Sequence, residues 1–242
     1  MVRRADLLAD IAKAHLHAAY AAFTCGLQGE WTFLCCTMDC TSGLLQPLEE
    51  VSRKRFIPAS TGGVEPGDIE RQLLALPARL GGLGLADPQK TASSEFDASR
   101  RVTASLSDLV VAKSMDLNDV CTKVSRLKRA AHSEKAKCLK SSGQAILLLL
   151  LAETRSAAQL ASEKGASTWL TAIPLDRYGF ALHKGAFRDA LRFRYYWPPP
   201  MLPISCVCGQ ACIVVPNGGG MPLRSPQRAV RFDRPPHAGG LS

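Results

Sequence analysis

The stretch DIERQLLALPARLGGLGLADP, residues 68–88, decides between a helical fold and a nucleotide-binding α/β fold. Its first half has the apolar spacing of an amphipathic helix, with Asp68 as the expected N-cap and an end near Pro77. The glycines that follow would cradle a phosphate only if a strand preceded them and a third glycine stood in register. Because a helix precedes them, the sequence predicts a turn in which two chain segments pack closely.

Helical patterning extends over most of the chain. Residues 2–23 place apolar side chains at three- and four-residue spacings, and Gly26 and Gly29 interrupt this pattern. Residues 57–68 are rich in Pro and Gly and are expected to form a loop. The fold class is therefore expected to be mainly α, an irregular helical bundle. Further helices are predicted over residues 44–56, 94–113, 116–141, 144–164 and 179–197.

The composition changes after Trp197. Residues 198–242 are rich in Pro, Gly and Arg, contain Asp233 as their one acidic residue, and show no helical period. A segment of this composition buries too little apolar surface to offset the entropy of ordering. We therefore expect a disordered C-terminal tail.

Net charge and hydropathy limit the cellular compartments and the binding partners that the sequence predicts. The 242-residue chain carries a formal charge of +9, which favours a polyanion such as nucleic acid, although a solvated basic surface without a partner is the alternative. Its N-terminus lacks the pattern of a secretory signal, and its nine cysteines are interpreted as reduced thiols. The longest apolar run, residues 145–152, spans ~12 Å as a helix against ~30 Å of hydrocarbon. We expect an intracellular protein, nuclear or cytoplasmic, without a membrane partner.

The sequence offers no catalytic constellation. Polymerase chemistry needs clustered carboxylates that hold two Mg²⁺ ions, and the sequence contains neither adjacent Asp residues nor Tyr-x-Asp-Asp. A thiol enzyme could pair one of several N-terminal cysteines with His15 or His17, but no spacing selects a pair, and buried structural cysteines are favoured. The protein is therefore expected not to be an enzyme. The cysteines in question are Cys25, Cys35, Cys36 and Cys40.

Three cysteines near the C-terminus form a partial metal-binding pattern. Cys206, Cys208 and Cys212 could supply three ligands of a tetrahedral zinc site, which needs four Cys or His ligands. The one later histidine, His237, lies within the Pro- and Gly-rich tail. We expect the site to be incomplete and the protein to hold no cofactor.

Two basic segments are candidates for phosphate contacts. The sequence CTKVSRLKRAAHSEKAKCLK, residues 121–140, has seven Lys or Arg residues against one Glu, and an exposed basic helix without a ligand is the alternative interpretation. Residues 179–197 add a second basic amphipathic segment that ends in aromatic residues able to stack on bases. The candidate residues of the two segments are Lys123, Arg126, Lys128, Arg129, Lys135, Lys137 and Lys140, and Lys184, Arg188, Arg192, Arg194, Tyr195, Tyr196 and Trp197.

Seven blocks of the sequence, taken in order, resemble the region downstream of the polymerase palm in reverse-transcriptase-like open reading frames of invertebrate retrotransposons. They include GLQGEWTFL at 26–34, RFIPASTG at 55–62, the opening stretch at 68–88, and SEKGASTWLTAIP at 162–174. The others are LLQPLEE at 44–50, GFALHKGAFRDALRFRYYW at 179–197 and CVCG at 206–209. The similarity covers roughly residues 15–209.

The resemblance implies the position of this chain within such a reading frame. The fingers and the palm, with their metal-binding Asp residues, would lie upstream, and this chain would supply the thumb and a helical connector that hold template and primer. It implies a thumb-like helical region at 1–90, a basic helical connector at 91–200 and a tail at 201–242. Cys206 and Cys208 would be the first half of a Cys-x-Cys-Gly zinc knuckle whose later His and Cys are missing.

The residues after about Gly209 suggest why the knuckle is incomplete. Their sequence is interpreted as a frameshifted remnant of the zinc knuckle and of the segment that follows it. The functional expectation is a non-catalytic, retroelement-derived fragment that binds the backbone of RNA or DNA. The alternative is a helical protein-interaction module used by the host, with a protein partner that the sequence does not specify.

Overall fold

The computed structural model describes residues 1–63, 65–112 and 118–197. Within these ranges the elements are helical and no strand is present, so the mainly α fold class is confirmed. The predicted tail at 201–242 lies outside the described residues. Buried residues from 1–92 and from 143–197 form a single hydrophobic core, so the regions predicted at 1–90 and 91–200 both contribute to it.

Residues 2–37, called the first rod, are helical except at residues 13–15. Helix α1 (Val2–Ala12) is followed by α2 (Leu16–Ala21), a π-helical turn (Ala22–Leu27) and α3 (Gln28–Thr37). Residues 16–37 are thus helical without a break, and the prediction that Gly26 and Gly29 interrupt the helix is wrong. Both glycines lie on the solvent side, where packing on the opposite face outweighs their poor helix propensity.

Residues 43–61, called the second rod, are helical beyond the end that the sequence predicts at residue 56. A 3-10 turn (Gly43–Leu45) leads into α4 (Gln46–Val51), a π-helical turn (Ser52–Phe56) and α5 (Ile57–Thr61). The predicted loop at 57–68 therefore begins only at Gly62, whose φ of 68° gives the helix a left-handed end. Pro58 is accommodated because the wider π turn lies directly before it, where a proline removes a regular helical hydrogen bond.

The glycine-rich turn lies at the centre of the molecule. Helix α6 (Asp68–Ala75) precedes it, and its N-cap is Gly67 rather than the predicted Asp68, since the Gly67 amide donates to the Glu70 carboxylate at 3.1 Å. A Cβ at Gly82 would lie 1.9 Å from the carbonyl oxygen of Leu76, so only glycine fits there. The predicted close packing of two chain segments is confirmed.

Two long helices follow. Helix α7 (Pro88–Ala112) starts against α3, and α8 (Asn118–Leu149) packs against α7. At 1.5 Å per residue they measure about 37 Å and 48 Å. The boundary predicted between the helices at 116–141 and 144–164 is wrong. Helix α8 continues through Gly143 and ends at Leu149, and the next helix begins at Ala152. Gly143 is buried, and a Cβ at this position would lie 3.5 Å from Cδ1 of Leu76, so the helix passes close to the core here.

Three shorter helices complete the fold: α9 (Ala152–Ala161), α10 (Thr168–Thr171) and α11 (Lys184–Tyr195). The helix predicted for 179–197 is shorter than expected, because its first five residues are not helical. His183 caps α11, with its Nδ1 accepting the Gly185 amide at 3.2 Å.

Aromatic rings join the helices in the core. The Phe23 ring stacks on Phe56 with centroids 4.1 Å apart and meets the edge of Trp31. Phe187 of α11 contacts Tyr20 and Trp169. Complete burial of each such ring contributes about 1.5–3 kcal/mol. The N-terminal rods and α11 are therefore held together by the same apolar core.

Candidate nucleic-acid interface

Most of α7 and of α8 forms an arm, defined as residues 93–112 and 118–142. None of its residues that the structure describes with a side chain, 93–111 and 118–142, is buried, although Ala92 and Gly143 at its base are. Consecutive packed helices joined by five residues run antiparallel, as an αα-hairpin. The arm is thus a two-helix projection from the core.

The two helices of the arm meet along a narrow half-buried seam. Its residues alternate three- and four-residue steps, which is the spacing of a coiled coil. Glu95 of α7 pairs with Lys135 of α8, and Arg101 lies 3.0 Å from Glu134. The half-buried residues with this spacing are Ser99, Val102, Leu106 and Leu109 of α7, and Val120, Val124, Leu127 and Ala131 of α8. Glu95, Phe96, Ala98, Ser105 and Leu139 are half-buried as well.

The structure exposes every basic residue predicted on α8. The set Lys123, Arg126, Lys128, Arg129, Lys135, Lys137 and Lys140 has no buried or half-buried member. Helix α8 carries seven basic and two acidic residues, whereas α7 carries three of each. Within the described residues, Lys135 alone of the seven lies within 4.0 Å of a carboxylate. Positive charge is therefore concentrated on one helix of the arm.

The basic residues predicted on α11 have a different placement. Arg194 is buried and donates to the carbonyl oxygens of Ala78 at 2.9 Å and Gly82 at 3.0 Å. Arg192 is 9% exposed and lies 3.6 Å from Asp189. These two guanidinium groups therefore satisfy groups of the protein itself and do not form an exposed basic face.

The remaining predicted residues of this segment also make internal contacts. Lys184 Nζ donates to the carbonyl oxygen of Lys13 at 2.8 Å, and Arg188 donates to that of Ala59 at 2.9 Å. Trp197 is half-buried, with its ring centroid 4.8 Å from that of Tyr195.

Tyr195 is fully buried and unavailable for stacking on a base. Its hydroxyl donates to the Gly81 carbonyl at 3.1 Å, and burial raises the pKa of this phenol to about 12. Helical period could have shown this placement, because Phe187, Leu191, Arg194 and Tyr195 follow one face at i, i+4, i+7 and i+8.

The sequence prediction missed several exposed aromatic side chains. Phe193 is 80% exposed, and Tyr196, named with the stacking residues, is exposed as well. Tyr178 and Phe180 are exposed side by side, and the Arg177 guanidinium lies 4.5 Å from the Tyr178 ring centroid. Phe193 lies two residues after the buried Leu191 in α11, so the helical period predicts its exposure. Tyr178 and Phe180 precede α11 and follow no helical period, so no pattern in the sequence identifies them.

Two of the N-terminal thiols, Cys36 and Cys40, have pKa values above the usual range of a thiol. Burial raises the pKa of the Cys36 thiol, and the neighbouring Asp39 carboxylate raises that of Cys40, opposite to the shift that a nucleophilic thiolate needs. His17 is buried, its Nδ1 accepting the Leu182 amide at 3.1 Å and its Nε2 lying 3.1 Å from the Ala172 carbonyl oxygen. His17 therefore joins α2 to the chain before α11.

No group of three or more His, Cys, Asp or Glu in the described ranges is placed to hold a metal ion. Cys206, Cys208 and Cys212 lie outside those ranges. Among the helices that the structure describes, none is both long and apolar enough to cross a bilayer.

Comparison with known proteins yields no match to a family model, a curated protein or a solved structure.

Proposed function

We propose that this protein binds nucleic acid through the phosphate backbone and that the arm supplies the contacts. The observation that carries the proposal is the uniform exposure of seven basic side chains on α8. Phosphate contacts of this kind release counterions, so affinity falls steeply with salt. Backbone contacts fix position without reading sequence, and we expect little sequence preference.

The distribution of acidic residues supports this proposal over a solvated basic surface. Surface charges that serve only solubility are commonly mixed in sign, as they are on α7. On α8 the basic residues far outnumber the acidic ones, and Glu134 is already paired with Arg101. Such a surface repels itself until a polyanion neutralises it.

We further propose a non-catalytic, retroelement-derived role. The resemblance to the region that follows the polymerase palm supports this proposal, because in such a reading frame the catalytic carboxylates would belong to the palm. A helical body with a basic arm is suited to holding a template, while another part of a polymerase performs the chemistry. The arm lies between the blocks that carry the resemblance, so its binding role is argued from its own charge and exposure.

The test is fluorescence anisotropy with labelled RNA and DNA at several salt concentrations. Replacing the outer arm residues with Gln, in a variant carrying R126Q, R129Q, K137Q and K140Q, should weaken binding roughly 10- to 100-fold at ~0.1 M salt. The slope of log affinity against log salt should fall by about 3 to 4.

A matched control separates local contacts from total charge. The variant with R3Q, K54Q, R79Q and K164Q removes four exposed positive charges outside the arm. We expect it to weaken binding by no more than about threefold at ~0.1 M salt. Equal losses in the two variants would contradict an interface on the arm.

A second candidate function is favoured by an apolar surface near the base of the arm. Leu148, Leu149 and Leu151 are 74%, 65% and 76% exposed. Adjacent exposed leucines are typical of protein-binding surfaces. A host protein-interaction module should retain a defined protein partner after nuclease treatment, whereas a nucleic-acid-binding protein should lose the proteins that associate through nucleic acid.

A further inference from the structure

Four of the exposed basic residues on α8 repeat with a regular spacing. Arg126 and Arg129 form one i,i+3 pair, and Lys137 and Lys140 form another, eleven residues further along. Eleven residues correspond to three helical turns with only ~20° of rotation, so both pairs lie on one side of α8. The pairs are separated by about 16 Å along the helix axis.

The surface between the two pairs is nearly flat. The residues that face the same side there are Ala130, Ser133 and Ala136, and all three are exposed. The one carboxylate of this segment, Glu134, points toward Arg101 of α7. A bulky ligand can therefore approach α8 between the pairs without meeting a long side chain.

This spacing matches a double helix better than a single strand. The major groove of B-DNA is about 12 Å wide and has phosphates on both edges, so two basic pairs about 16 Å apart can contact both strands. Single-strand binding typically uses aromatic platforms for the bases. Phe96 is the one Phe, Tyr or Trp of α7 and α8, and it is half-buried.

We infer that α8 lies across a groove of a nucleic-acid double helix, with each basic pair on the phosphates of a different strand. This inference rests on the proposed function and adds the class of nucleic acid. DNA and RNA duplexes share the chemistry, so both are used as probes, together with single strands of the same sequences.

The experiment changes the spacing while preserving the composition. The variant S133K, A136K, K137S and K140A moves the second pair one turn toward the first, to exposed positions, with the same net charge. Duplex affinity should fall roughly tenfold, because the shortened span no longer reaches both strands, while single-strand affinity should change less than about twofold.

A compensating variant tests spacing against mere position. Adding T122R, S125R, R126T and R129S moves the first pair by the same turn and restores the eleven-residue repeat. Duplex affinity should return to within about threefold of the unmodified protein. Far-ultraviolet circular dichroism should show that all variants keep the same helical content.

The outcomes separate this inference from the proposed function. If the unmodified protein binds neither ligand, the proposed function fails. If it binds single strands as tightly as duplexes, or if the moved pair changes neither affinity, the inference is overturned while backbone binding stands. Failure of the compensating variant to restore duplex affinity would also overturn it.

Discussion

The body and the arm use the same residue types in opposite ways. In the body, Arg71 and Arg194 point inward and donate to backbone carbonyls of the central turn. On α8 of the arm, seven Lys and Arg side chains are exposed, and of these seven Lys135 alone lies within 4.0 Å of a carboxylate among the described residues. A basic side chain therefore indicates a ligand only when its helix face is known.

Arg71 can be buried in the body because its charge is paired with a carboxylate. Arg71 makes a bidentate contact with Glu49, at 2.7 Å and 2.6 Å, and also donates to the Leu85 carbonyl at 2.8 Å. Burial raises the pKa of Glu49 even though Arg71 acts in the opposite direction. Such a pair contributes little compared with an apolar replacement, but removing one partner leaves an uncompensated buried charge.

The largest expected effect compares one arginine from each region. Arg71→Gln should lower the free energy of unfolding by about 3–5 kcal/mol, because Glu49 loses its buried partner. Arg126→Gln, on the exposed arm, should change it by less than about 0.5 kcal/mol. Urea denaturation followed by circular dichroism measures both values. Similar losses from the two substitutions would break the distinction between body and arm.

A smaller effect, on the pH dependence of stability, is expected from His17. Burial lowers the pKa of His17 below its usual 6.5, so the folded protein favours the neutral ring while the unfolded chain takes up a proton. Stability is therefore fully present above pH 6.5 and falls as the pH decreases toward the folded pKa. Protonation would also remove the acceptor that Nδ1 offers to the Leu182 amide.

The pH dependence should be assigned by substitution. Comparing thermal midpoints at pH 7.5 and pH 5, His17→Gln should show a smaller loss at low pH than the unmodified protein. His132→Gln on the exposed surface of the arm should leave the difference unchanged. An unaltered pH response in the His17 variant would assign that response to other groups.

The fold class was predictable because most segments have a helical period, but the element boundaries depended on tertiary contacts. Gly143 reads as a helix break in the sequence, yet it lies inside α8, where Leu76 packs beside it. Pro58 also reads as a break, although the preceding π turn accommodates it. The contact between Leu76 and Gly143 joins positions far apart in the sequence, so no local pattern contains it.

The candidate interface was also predictable only in part. Exposure on α8 followed from its density of charge, because seven basic residues on one helix cannot all be buried with partners. The role of Arg194 could be anticipated only in part. Its helical position indicates the buried face, but its acceptors at Ala78 and Gly82 are more than a hundred residues away in sequence.

The smallest expected effect concerns glycines on the solvent side of the body. Gly26 and Gly29 lie within continuous helix, and a Cβ at either position would meet no heavy atom within 4 Å. Replacing either with Ala removes backbone freedom from the unfolded chain without a steric cost. Each substitution should therefore stabilise the protein by about 0.5–1 kcal/mol.

A matched glycine sharpens this last prediction. Gly82→Ala would bring its Cβ to 1.9 Å from the Leu76 carbonyl oxygen and to 2.6 Å from that of Leu73, so the backbone must shift and stability should fall. Urea denaturation of the three variants should give opposite signs for the two kinds of position. If Gly26→Ala and Gly29→Ala also destabilise the protein, the first rod is constrained by more than the packing of its inner face, and the contrast between a tight central turn and a tolerant outer surface does not hold.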